Sequence, residues 1–200
     1  MGFFRRPILT KKREKELTHF RKYAIKALHE LEKKEKHHSI KELYQDMASN
    51  IEKTPLMFYD AQNLRSKVYR VGNKVFGSVT KGEHVRQIMV YQQGPNTYVK
   101  SKNYINLPAD HIFDGDRMSM DGIFTLAHEY GHFPKRHVNV FADAYNVSEE
   151  QAEELLADIL SAKLAVKMGY PKTHVLRHYL GREIVYGTFP FKQFIKDAVK

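Results

Sequence analysis

The chain has 200 residues, of which 42% are hydrophobic, and a formal net charge of +10. This length and composition indicate one globular domain, and the lack of any run of about 18 apolar residues argues against a membrane-spanning helix. Cysteine is absent, which excludes disulfides, thiolate metal ligands and cysteine nucleophiles, so His, Asp or Glu must hold any bound metal.

The N-terminal segment carries most of the positive charge. Residues 1–40 contain 12 Lys or Arg and 5 Glu, a net charge of +7, so the rest of the chain contributes only +3. Helices are predicted over residues 10–36 and 40–52, because apolar residues recur there every three or four positions. We interpret residues 1–60 as a basic helical arm that could bind nucleic acid or an acidic partner, with a solvated helix face as the alternative.

The middle of the chain is rich in β-branched and aromatic residues. Between residues 67 and 107, four such runs are separated by turns that contain glycine, which predicts a small and mostly antiparallel sheet. Pro108 ends the last strand. The aspartate-rich stretch 110–121 is predicted to be a polar loop that leads into the next helix.

Helical periodicity returns after this loop. Helices are predicted over residues 120–133, 148–168 and 172–186. The Ser-Glu-Glu-Gln sequence at 148–151 fits a capping box at the start of the second of these helices. The tail, residues 189–199, has apolar residues at helical spacing, so it could dock on the core or bind a membrane surface or a partner.

The sequence His128-Glu129-Tyr130-Gly131-His132 suggests metal chemistry. Residues four apart on a helix lie above one another, so both imidazoles can reach one ion. Glu129 is next to the first ligand and can hydrogen-bond a water molecule at the metal, the H-E-x-x-H arrangement of zinc peptidases. Zinc lowers the pKa of such a water to about 7, and the glutamate takes its proton as the water attacks a carbonyl. The apolar residues around the motif favour a buried helix.

The third ligand is expected on the next helix. Glu154 and Asp158 are one turn apart there, and the small residues that follow allow the two helices to approach. Glu154 can therefore reach the metal, and Asp158 can accept the other ring N–H of His128. Glu150 and Glu153 are rival third ligands: Glu150 shares the face without a similar stripe of small residues after it, and Glu153 is predicted to point away.

Two motifs resemble known metallopeptidases. Glu154-Leu155-Leu156-Ala157-Asp158 matches the E-x-x-A-D third-ligand motif of small gluzincins, including the minigluzincins. Phe124 to His132 is similar to the F-T-L-A-H-E-x-G-H segment of ImmA/IrrE-type metallopeptidases, and Asn103 to Leu107 resembles the edge strand that precedes the active helix in both groups. ImmA/IrrE proteins usually carry Asn where this chain has Asp158, which favours the minigluzincin type. The resemblance covers residues 97–170.

The resemblance implies an α+β, zincin-like domain over residues 61–200, with a small sheet over the active-site helix and the glutamate helix. It implies a zinc metalloendopeptidase with Zn²⁺ as its cofactor and a protein or peptide as its substrate. The first residues, 1–7, are too short and too broken for a signal peptide, so we expect a cytoplasmic protein. The alternative function is a regulatory protein with a structural metal, whose basic arm binds nucleic acid or a partner.

A zincin-like fold also predicts groups that would contact the substrate. Asn103, Tyr104 and Ile105 would lie on the edge strand, which pairs with an extended peptide through its backbone. A further group must stabilise the oxyanion of the transition state. The candidates follow the glutamate helix: His174 and His178, and beside them Arg177 and Tyr179.

Overall fold

The computed structural model describes residues 9–59, 70–71, 74–75, 91–93, 96–98, 105–132, 137–180 and 191–200. The helices in these residues are α1 (Lys11–Lys34), α2 (His38–Lys53), α3 (Ala109–Ile112), α4 (Met120–Gly131), α5 (Val138–Tyr145), α6 (Glu149–Lys167), α7 (Lys172–Leu180) and α8 (Phe191–Ala198). The strands are β1 (Leu56–Tyr59), β2 (Arg70–Val71), β3 (Lys74–Val75), β4 (Tyr91–Gln93), β5 (Asn96–Tyr98), β6 (Ile105–Pro108), β7 (Phe113–Asp114) and β8 (Arg117–Met118). Helices dominate, and the short strand pairs are compatible with the α+β class.

Helices α1 and α2 form a hairpin that is buried along its apolar sides. α1 begins where the side chain of Thr10 accepts a hydrogen bond from the backbone N–H of Arg13 at 3.2 Å, a typical N-cap. Its buried residues are Leu17, Phe20, Ala24, Ala27 and Leu28. They belong to the same core cluster as residues of α2, α4 and α6. The domain boundary at residue 60 stays a prediction. Deletion of residues 1–38 would remove the buried residues of α1 from this core cluster.

The strands form four separate two-stranded pairs within the described residues. β2–β3, β4–β5 and β7–β8 are antiparallel. β1 and β6 are parallel, with Leu56 opposite Ile105 and Tyr59 opposite Pro108. Strand β1 was not predicted. Much of the predicted sheet, including residues 76–90 and 99–104, lies outside the described residues.

The predicted polar loop before α4 contains regular structure. Helix α3 and the β7–β8 hairpin occupy it, and Ile112 is fully buried, so the prediction of a loop was wrong for these residues. Gly115 supplies the positive φ of 59° that the hairpin turn requires. The start of α1 holds this turn: Thr10 donates a hydrogen bond to Asp116 at 2.9 Å, and the Arg13 side chain donates to the Gly115 carbonyl at 2.7 and 2.9 Å.

The C-terminal helices pack around α6. The capping box at its start is present, with Ser148 and Gln151 each bonded to the other's backbone. Helix α8 buries Phe191 and Ile195 in a cluster with α4, α6 and α7, and Val199, just after α8, is buried in the same cluster, so the tail docks on the core. Helix α5 was not predicted. None of the described helices combines the length and the apolar character needed to cross a membrane.

Candidate metal centre

Helix α4 carries His128 on a buried segment, and His132 is its C-cap residue. It begins at Ser119, whose hydroxyl accepts a hydrogen bond from the backbone N–H of Gly122 at 2.9 Å. Every residue from 124 to 131 is buried, as the apolar sequence around the motif predicts. His128 and His132 are also buried, so their ring nitrogens need hydrogen-bond partners inside the protein.

Helix α6 packs very closely against the end of α4. A methyl group placed on Gly131 would lie 2.8 Å from both Cα and the carbonyl oxygen of Ala157. Only glycine leaves room for this approach, because real Cβ contacts are longer. The close contact brings the α6 face that carries Glu154 next to the two histidines.

Side chains of three candidate ligands converge where the two helices meet. Nε2 of His128 and Nε2 of His132 are 2.9 Å apart. The two carboxylate oxygens of Glu154 lie 3.4 Å from these nitrogens, one from each. Atoms that bind one tetrahedral zinc at about 2.0–2.2 Å lie about 3.3–3.6 Å from one another. Each nitrogen is at this separation from one Glu154 oxygen, whereas the two nitrogens lie closer to each other than in such a site.

Each histidine has a further carboxylate close to its Nδ1 atom. Asp158, which is fully buried, places a carboxylate oxygen 2.7 Å from Nδ1 of His128. Glu153 places one 3.2 Å from Nδ1 of His132. Such a partner holds the ring proton on Nδ1 and turns the Nε2 lone pair towards the centre. Two lone pairs and the carboxylate of Glu154 then face one another, an arrangement that a cation stabilises.

Glu129 lies beside this centre. The ligand atoms of His128, Glu129 and His132 are all within 4.8 Å of one another, so the group can hold a metal ion. The Glu129 side chain is only 7% exposed. Charges interact more strongly where water is excluded, so a buried carboxylate here acts strongly on any group that approaches the ion.

Tyr130, inside the motif, anchors α4 to the N-terminal hairpin. Its ring is fully buried, and its hydroxyl accepts a hydrogen bond from Arg21 of α1 at 3.2 Å. Arg21 also donates to the carbonyl of Thr54 at the end of α2, at 2.9 Å. Burial raises the pKa of Tyr130, and the neighbouring Arg21 opposes this rise. The motif helix is therefore fixed on the side that faces away from the metal ligands.

For the other predicted site residues, no contact with His128, His132 or Glu154 is seen among the residues that the structure describes. Ile105 is buried at the start of β6, whereas Asn103 and Tyr104 lie outside the described residues. His174 is exposed on α7. His178 contacts Asp121 at 3.2 Å and packs against the Phe124 ring, which are on the first two turns of α4.

Two more α7 residues were candidates for the oxyanion. Tyr179 donates a buried hydrogen bond to the carbonyl of Phe124 at 3.2 Å, which ties α7 to α4. Arg177 is exposed on α7. Tyr179 and His178 both contact Phe124 on the early turns of α4, whereas His128 is on its last turn and His132 is its C-cap residue.

Glu153 is the site residue that the sequence interpretation missed. It was predicted to point away, but its carboxylate holds His132. The sequence shows that residue 153 is one turn before the small residue Ala157. The structure adds that Ala157 is the residue that Gly131 touches. Glu150 was a rival ligand. It is exposed one turn before Glu154.

We expect the two supporting carboxylates to tune metal affinity. Asp158→Asn and Glu153→Gln should each weaken zinc binding by about 10–100-fold, because the ring proton of the histidine loses its anionic acceptor. Competition with a chromophoric chelator measures the zinc Kd. Glu150→Gln, on the same helix but exposed, is the matched control and should leave the Kd unchanged. Equal affinities in all three variants would mean that these carboxylates do not support the ligands.

Comparison with known proteins gives no assignment: no family model, no curated protein and no solved structure matches this chain.

Proposed function

We propose that this protein is a zinc-dependent metallopeptidase with a zincin-like, gluzincin-type domain, in which His128, His132 and Glu154 hold the metal. The observation that carries the proposal is the convergence of two Nε2 atoms and one carboxylate from α4 and α6, with a second carboxylate behind each histidine. Glu129 completes the H-E-x-x-H arrangement beside these ligands.

The donor set favours zinc. Two imidazoles and one carboxylate form the ligand set of several zinc hydrolases, which leave a fourth position for water or substrate. The same donors also bind non-haem iron in other folds. Glu129 favours zinc in this protein, because a general base beside the ion serves hydrolysis, and hydrolysis needs no redox chemistry.

The chain's own groups then assist attack on a peptide bond. When bound, zinc supplies Lewis-acid chemistry that activates a water molecule and polarises the substrate carbonyl. The Glu129 carboxylate accepts the proton of the attacking water and delivers it to the leaving amine nitrogen. Asp158 and Glu153 keep the proton of each histidine on Nδ1, and the buried walls of α4 and α6 exclude competing water.

We propose that an extended peptide lies beside β6. One edge of β6 is occupied by its parallel partner β1, and the other edge has no strand partner among the residues that the structure describes. Pairing through the backbone gives affinity with little preference for side chains. The substrate class is therefore an unfolded or extended protein segment.

Metal content tests this proposal first. The protein is purified without added metal or chelator and analysed by inductively coupled plasma mass spectrometry. We expect about one zinc per chain in the wild type and a large loss in Glu154→Ala, because a catalytic site needs all three protein ligands. Glu150→Ala is the control and should keep its zinc. No stoichiometric metal in the wild type, even after zinc is added back, would reject the metal site.

The alternative function makes the metal structural. A structural zinc takes four protein ligands, and Glu129 is the described residue close enough to be the fourth. The protein would then be a regulatory or partner-binding protein on the same scaffold. Glu129 is the general base in the peptidase and a metal ligand in the alternative function. The Glu129→Gln variant therefore distinguishes the two functions.

A further inference from the structure

A cleft lies against the face of α6 that is opposite to the candidate metal centre. Its volume is about 360 Å³, and α2, α5 and α6 form its walls. The α6 residues in its wall are Leu156, Ile159, Leu160 and Lys163, which share one face. Residues two apart on a helix point about 200° apart, so Leu156 and Leu160 face away from Glu154 and Asp158. The cleft is therefore separate from the proposed peptidase site.

The cleft has the composition of a small-ligand site. Most of its lining is apolar, including Leu43 of α2 and Val140 and Phe141 of α5. Its volume is at the lower end of the range of about 300–1,000 Å³ that is typical of ligand pockets. Val140 is 65% exposed, so the cleft is open to solvent along α5.

Two polar groups meet in the wall of the cleft. Nζ of Lys163 lies 3.4 Å from the hydroxyl of Tyr44, a long hydrogen bond to a neutral group. Within the described part of the chain, this is the one direct polar contact of that ammonium. Glu35 lies within electrostatic range, but its carboxylate already accepts hydrogen bonds from the backbone N–H groups of Lys36 and His37.

The Lys163 ammonium and the Tyr44 hydroxyl retain N–H and O–H donors that need a hydrogen-bond acceptor. Burial is the main cause that raises the pKa of Tyr44 to about 12, with the charge of Glu35 adding to it, so the phenol keeps its proton at neutral pH. The Tyr44 ring is only 2% exposed, which leaves its O–H directed into protein or cleft. A half-buried ammonium without a direct carboxylate partner favours an anion beside it.

We propose that this cleft binds a medium-chain monocarboxylate, with the carboxylate on Lys163 and Tyr44 and the hydrocarbon chain along Leu43, Leu160 and Phe141. Each carboxylate oxygen accepts one hydrogen bond, from the Lys163 ammonium or from the Tyr44 hydroxyl. The apolar walls take the chain out of water, and this burial supplies the remaining affinity. This site does not depend on the metal or on the proposed peptidase activity.

Isothermal titration calorimetry with decanoate and with decanol tests the site. Decanoate should bind the wild type more tightly than decanol. Lys163→Met should weaken decanoate by about tenfold or more, because a charge-assisted hydrogen bond is lost, and should leave decanol unchanged. Lys167→Met is the matched control, since Lys167 is one turn further along α6 and pairs with Glu30 at 2.6 Å. It should bind decanoate as the wild type does.

A second pair of variants tests the place of binding. Ala144 is exposed in the wall of the cleft, so Ala144→Phe should fill the cleft and remove binding of both ligands without disturbing the core. Asn139→Phe places the same ring on an exposed part of α5 away from the cleft and should have no effect. The proposal is overturned if decanoate does not bind, if Lys163→Met binds it as tightly as the wild type, or if Ala144→Phe still binds it.

Discussion

Glu129→Gln will lose peptide hydrolysis and keep its zinc. Glutamine has nearly the shape of glutamate but cannot accept the proton of the attacking water, and loss of a general base costs about 10²–10⁴-fold in rate. Unfolded casein and a peptide library are suitable substrates, because no sequence preference is predicted. Product peptides are quantified by mass spectrometry, and zinc per chain is measured on the same samples.

Zinc content and peptide hydrolysis, measured together, distinguish a peptidase from a protein with a structural metal. Glu150→Gln, which changes an exposed glutamate on the neighbouring helix, should keep both zinc and activity. If Glu129→Gln loses its zinc instead, Glu129 is a fourth ligand and the metal is structural. Full hydrolysis in Glu129→Gln would show that another group acts as the base.

Gly131→Ala will lower both the free energy of unfolding and the zinc affinity. Alanine normally favours a helix over glycine by about 0.5–1 kcal/mol. Here the added methyl group would lie 2.8 Å from backbone atoms of Ala157, which cannot rotate away. Overpacking of this kind costs about 1–3 kcal/mol, so the clash outweighs the propensity. The helices must separate, and Glu154 moves away from the histidines.

Urea denaturation and chelator competition measure the two effects. Gly115→Ala is the control, because its surroundings are open and its φ of 59° costs only local backbone strain, about 1–2 kcal/mol. We expect Gly115→Ala to lose stability but not zinc affinity, whereas Gly131→Ala loses both. A Gly131→Ala protein with wild-type stability and wild-type zinc Kd would contradict the close contact between α4 and α6.

The main helices and the cluster of candidate metal ligands could be predicted from the sequence, because the patterns that indicate them lie within short stretches of the chain. The spacing of His128 and His132 depends only on helical geometry, and Ser148 marks the start of α6 by its own hydrogen bonds. The small residues after Glu154 indicated a close helix contact, and the structure brings Glu154 and Asp158 to the two histidines.

Other features depend on contacts between distant parts of the chain. The β1–β6 pair joins residues 49 positions apart, and four residues of β1 carry too little pattern to predict a strand. Helix α5 is eight residues long and rich in β-branched and aromatic side chains, so its periodicity does not distinguish helix from strand. The docking of Arg13 and Thr10 on the β7–β8 turn depends on tertiary packing alone.

The division of the proposed metal ligands between α4 and α6 sets an order of events during synthesis of the chain. His128 and His132 leave the ribosome before Glu154 and Asp158, and Asp158 is 26 positions after His132. At about 5–20 residues per second, the histidine pair exists for about one to five seconds without its acidic partners. A metal ion can therefore meet all three proposed ligands only after α6 has left the ribosome. A nascent chain halted after His132 has emerged and before Glu154 has emerged would display the two histidines alone, an incomplete site.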